Sequence, residues 1–114
     1  MGTSVMAYDE DLADRIRTAI QDRDGVTEKR MFGGLAFLVE GNMAVAASQG
    51  GLLLRVDPSE TDSLVGEDGV TRSEMRGRAM GGWVRVDSSA IASDEELTRW
   101  VQVGVAYAGS LPPK

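Results

Sequence analysis

Between Val26 and Val56, short apolar runs are cut by glycine-bearing breaks every eight to ten residues, and this spacing constrains the fold more than any other feature. The runs are Leu35–Val39, Met43–Ala47 and Leu52–Val56, preceded by Val26–Phe32, a mixed segment that suits a strand, and the breaks are Gly33-Gly34, Glu40-Gly41-Asn42 and Ser48-Gln49-Gly50-Gly51. Helices typically run ten residues or more, and glycine would weaken one at every break here. Strands of four to seven residues joined by tight turns need glycine, because the turns require φ > 0. The pattern therefore predicts a meander of antiparallel strands.

Helical periods flank the meander. Over Asp9–Arg23, Leu12, Ile16 and Ile20 recur every four residues with Ala13 and Ala19 beside them, and acids crowd the first turn where the helix dipole favours them. Gly25 is a helix stop. Asp57-Pro58-Ser59-Glu60 reads as a cap followed by a first-turn proline, opening a short helix that ends near Gly66. Val70–Arg78 is an edge strand or a loop. Gly81–Asp87 alternates, with Trp83 and Arg85 on one side and Val84 and Val86 on the other. A last helix starts at Ser93-Asp94-Glu95-Glu96 and carries Leu97, Val101, Val105 and Ala108 in a stripe, with Trp100, Gly104 and Tyr107 alongside. The order is one helix, three or four strands, a short helix, one or two strands and a final helix. It predicts an α+β two-layer sandwich with the helices on one side of an antiparallel sheet.

The 114 residues suffice for one domain and one core, with residues 1–6 expected to be an unstructured leader. No apolar run reaches the roughly 20 residues of a membrane helix. The first residues lack the basic and hydrophobic regions of a secretory signal, so the chain reads as cytoplasmic. There is no cysteine and no histidine, which excludes thiolate and histidine-based nucleophilic catalysis and zinc–thiolate sites. The acids fall at helix starts and in turns, where capping explains them. No P-loop and no Gly-x-Gly-x-x-Gly unit is present, and no catalytic residue, metal or cofactor is expected. The net charge of −6 disfavours direct DNA binding.

Two segments are candidate binding features. Gly33 and Gly34 beside Arg30 form either a bend in a strand or an amide nest for an anion. From Val70 to Val86, Arg72, Arg76, Arg78 and Arg85 face a single acid, Glu74, giving a basic region in an acidic chain. These arginines either pair with the acidic faces of the two long helices or, with Trp83, dock a partner. The leading expectation is a non-enzymatic protein-interaction module using Arg76, Arg78 and Trp83. The alternative is a small-anion binder built from Gly33-Gly34 and the Arg76/Arg78 region. An exposed meander edge is also a place where two copies could pair.

The runs Met6–Ala13, Arg30-Met31-Phe32-Gly33-Gly34-Leu35-Ala36-Phe37-Leu38, Gly41-Asn42-Met43, Leu54-Arg55-Val56, Gly77-Arg78-Ala79-Met80-Gly81-Gly82-Trp83-Val84 and Ala108–Lys114 occur in order along the chain. Together they resemble the TfoX (Sxy) N-terminal domain family in its short, stand-alone form. The resemblance implies a two-layer α+β sandwich similar to secretion-chaperone-like folds, and it carries over no catalytic residues. Full-length bacterial members regulate natural competence by assisting a cyclic-AMP-responsive activator, and they add a C-terminal domain resembling helix-hairpin-helix modules. The implied role is protein–protein contact in transcription.

Overall fold

A computed structural model describes residues 10–31, 34–48, 51–75 and 78–113, with the side chains at 31, 73–75 and 78–81 outside the description. The leader at residues 1–6 lies outside the described residues, as do Phe32, Gly33 and Arg76. The elements run α1 (Glu10–Ile20), β1 (Val26–Met31), β2 (Gly34–Val39), β3 (Asn42–Ser48), β4 (Gly51–Arg55), α2 (Thr61–Val65), β5 (Val70–Met75), β6 (Arg78–Asp87) and α3 (Asp94–Ser110). All strand pairs are antiparallel, in the order β1-β2-β3-β4-β6-β5. This is the α+β two-layer architecture that the glycine spacing predicts, and Val70–Met75 is an edge strand, not a loop.

Local chemistry fixes the boundaries. The β2–β3 connection is the two-residue turn Glu40-Gly41, with φ of 52° and 84°, a primed turn whose twist matches the strands it joins. Ser93 caps α3 by accepting from the Glu96 N–H. Asp57 accepts from the Ser59 N–H at 2.9 Å and so opens a 3-10 turn (Pro58–Glu60) ahead of α2. Asp87 does the same to Ser89 at 3.0 Å, opening a second 3-10 turn (Ser88–Ile91) that the strand pattern did not announce.

The main core lies between the helices and one face of the sheet. Leu35, Phe37, Val39, Val45, Leu52, Leu54, Val84 and Val86 meet Leu12, Ile16, Leu97, Trp100, Val101 and Val105 there. A bulge opposite Phe37/Leu38 leaves Ala44 extra in β3, so Ala44 and Val45 both join this core. Against them sits Gly104 of α3. A Cβ built there would lie 2.6 Å from the Ala44 carbonyl oxygen and 2.8 Å from Val45 Cγ1, so only glycine lets the helix come this close. Among the described residues, the two buried polar ones are satisfied: Asn42 Nδ2 donates to the Pro112 carbonyl at 2.9 Å, and Thr61 Oγ1 accepts from the Gly82 N–H at 3.2 Å.

Ion pairs stitch the helical layer together. Arg17 forks onto Glu28 of β1 at 2.7 and 2.8 Å, and its hydrogen bonds hold the Glu28 carboxyl below its usual range. Arg15 reaches Asp94 and the Ile91 carbonyl, Arg99 reaches Glu67 and Glu96, and Arg72 pairs with Asp62 of α2. Arg72 is thus paired within the chain, but with the short helix α2 and not with either long helix.

Two outcomes follow for stability. Gly104→Ala gains helix propensity worth about 1 kcal/mol. The overpacking at Ala44 and Val45 outweighs it, so thermal denaturation should show a net loss of roughly 1–3 kcal/mol. Gly109→Ala is the control, because a Cβ there meets only the movable Arg23 guanidinium, and it should be neutral or mildly stabilising. For Glu28, a depressed folded pKa means stability that is present above the unfolded value and lost as pH falls through the folded one. Glu28→Gln should therefore melt below wild type at neutral pH and converge with it in acid; parallel melting curves at all pH values would refute the pairing.

Candidate functional interface

The second face of the sheet follows from the period of two. Residues pointing away from the helices form their own apolar cluster, in which Ala36, Met43 and Ala46 are buried and Leu38, Leu53 and Trp83 half-buried. No described helix residue belongs to it. The ladder registers align this face in transverse rows. One row runs Lys29–Ala36–Ala46–Leu53–Arg85–Thr71 across all six strands. The next contains Thr27, Leu38 and Met43, with Arg55 and Trp83 paired at its other side.

Trp83 is held from behind. Gly82 adopts φ 86°, its N–H donates to Thr61 Oγ1, and its carbonyl accepts from the Val56 N–H at 2.8 Å. Both α2 and the end of β4 therefore anchor the backbone just before the indole. The Arg55 guanidinium lies 5.8 Å from the Trp83 ring centre and 5.7 Å from that of Tyr107 on α3, within cation–π range of both. Arg85, on the same face, donates to Ser48 Oγ at 3.1 Å. The sequence alternation over Gly81–Asp87 places Trp83 with Arg85, and the register agrees.

The other sequence candidates separate. Arg30 pairs with Leu35, whose side chain is in the main core, so Arg30 is exposed on the helical side of the edge strand. Its neighbour Lys29, which drew no attention in the sequence, is the residue on the open face. Gly34 is a packing glycine, since a Cβ there would run into the Ala47 carbonyl. Gly34 sits at the end of the sheet where β6 finishes, while Arg78 begins β6 beside Met75 at the opposite end. Along β5, which pairs with β6 from Val70↔Val86 to Met75↔Arg78, five residue steps of strand, about 17 Å, lie between those ends, and three strand spacings separate β2 from β6. The sheet does not bring Gly34 and Arg78 into one anion cradle; Gly33 and Arg76, and the Arg78 side chain, lie outside the description.

Leu38, Leu53 and Arg55 also lie on this face, although the sequence reading names none of them as a site residue. The signal was available, because Leu54 and Phe37 belong to the core stripe and their neighbours must face the other way.

The titrating groups have local causes. The Ser59 N–H and hydroxyl lower Asp57, and the Ser89 hydroxyl and N–H lower Asp87. Three open clefts lie on the helical side, and none is lined by Arg30, Gly34 or Trp83. Among the described residues, no group of three or more acids is placed to hold a metal ion, and no helix is long and apolar enough to cross a membrane.

No curated protein and no solved structure gives a significant match to the chain. The family model of the TfoX N-terminal domain matches residues 18–108, from within α1 to the last turns of α3, and so takes in all six strands and the Arg55–Trp83 pair. The motif run before Ala13 and the terminal run past Ala108 fall outside that match. With the match covering most of its length and every strand of its sheet, the chain belongs to the TfoX N-terminal domain family.

Proposed function

We propose that this domain is a non-enzymatic protein-interaction module that docks a partner on the open face of its sheet, in keeping with the regulatory role of full-length TfoX proteins. The observation that carries the reading is the second apolar cluster, to which no described helix contributes. An antiparallel sheet commonly shows water a polar outer face. Here the outer face instead carries Leu38, Met43, Leu53 and Trp83, with Lys29, Arg55 and Arg85 among them. Apolar residues centred among polar ones, with Trp, Met and Arg prominent, is the composition of an interface core and its rim.

The chemistry of the chain supports the same reading. Histidine and cysteine are missing from the sequence, and the carboxyls with lowered pKa are explained by capping hydrogen bonds or by Arg17, with no need for a catalytic cleft.

Cross-linked capture from cells tests the proposal with wild type, Leu53→Glu and Trp83→Ala, each checked for an unchanged circular dichroism spectrum. Wild type should recover discrete proteins that both variants lose. Recovery of the same proteins by all three would overturn it.

A further inference from the structure

Resting on that reading of the open face, we infer that its occupant is an amphipathic helix whose apolar stripe is flanked by carboxylates. The first argument is charge. The six strands hold six basic and three acidic residues, while the rest of the chain holds six basic and fifteen acidic ones. Helical-side acids pair with helical-side arginines, Arg17 and Arg72 among them. On the open face, the two transverse rows contain Lys29, Arg55 and Arg85, and the row beyond Arg85 carries one carboxylate, Asp87, which feels the Arg85 charge and accepts from Ser89, so among the described residues the face as a whole is net basic.

The second argument is placement. Lys29 and Arg85 stand four strand spacings apart in one row, about 19 Å, with Ala36, Ala46 and Leu53 between them. A helix with its side chains is about 10–12 Å across. Laid along the strands, it fits between the two cations, and acids on either flank of its apolar stripe reach both margins. The alanines leave a shallow floor, and Leu38, Met43, Leu53 and Trp83 supply the apolar contact. Arg55 lies within cation–π range of both Trp83 and Tyr107, which places its charge beside the apolar patch. A helix here adds a third layer to the sandwich, the usual way to cover a second apolar sheet face.

A second copy of this chain fits less well. Two open faces in contact would oppose like charges, and an open face set on another copy's acidic helical side would make a head-to-tail contact with no closure. A nucleic acid would meet an apolar centre and a net charge of −6.

The test is selection of a displayed peptide library of random, helix-permissive sequences on wild type, followed by affinity measurement on Leu53→Glu and on Lys29→Glu/Arg55→Glu. Expected winners are acidic, place apolar residues at i, i+3 or i+4 and i+7, bind more weakly as salt rises, and lose about tenfold in affinity to the double charge reversal. Winners that need Leu53 but are basic or uncharged would overturn the inferred chemistry and leave the docking face standing. Winners indifferent to Leu53→Glu, or no winners at all, would overturn the inference, and indifference would remove the docking face as well. Displacement of the acidic peptides by a duplex oligonucleotide at low salt would replace the helix with a polyanion and so also overturn it.

Discussion

The contact of Gly104 with the bulged backbone at Ala44 and Val45 sets how closely helix and sheet approach, and the rest of the molecule is arranged around that distance. With α3 seated there, Trp100 and Val101 one turn before it and Val105 and Ala108 after it reach the sheet and are all buried. A larger residue would lift the helix from its centre and open voids on both sides, which packed interiors tolerate poorly. α1 then packs against α3 and β3, with Leu12, Ile16 and Ile20 turned inward. The bulge is what presents two successive β3 residues to the helix, so the irregularity in the strand and the glycine in the helix are two halves of one fit.

The same arrangement divides the surface. Each exposed ion pair on the helical side contributes little, at most about 1 kcal/mol. Their larger effect is to tie the acids of the helices to nearby arginines, with Arg15 also donating to the carbonyls of Ile91 and Ala92 in the turn before α3. The open face keeps basic residues set among apolar ones. A chain that is acidic overall thereby presents one side of opposite character.

Much of this was legible in the sequence where the determining interactions are local. The Ser93 cap, the Leu12/Ile16/Ile20 stripe and the glycine-bearing breaks of the meander each specify their own element, and the alternation around Trp83 gave its face. Three features were not legible. The turn opened by Asp87 repeats the Asp-x-Ser geometry of Asp57, but no proline marks it. The extra residue at Ala44 in β3 has no local signature within an alanine-rich run. The insertion of β6 between β4 and β5 is a non-local choice, and it put Arg78 and Gly34 at opposite ends of the sheet although each follows a glycine in the sequence. Lys29 and Arg30 show how one step of register exchanges faces, the first joining the open side and the second the helical side.

That insertion of β6 also shapes how the sheet comes together. The meander from β1 to β4 is made only of contacts between chain neighbours, and so is the β5–β6 hairpin. The β4–β6 ladder alone joins the two halves of the sheet, and it pairs Arg55 with Trp83 across the segment 56–82. Loop closure over such a segment costs entropy before any ladder bond or core contact compensates it, whereas the hairpins close over a few residues. The sheet is thus two locally connected pieces joined by one long-range seam, and Arg55 and Trp83 lie on that seam.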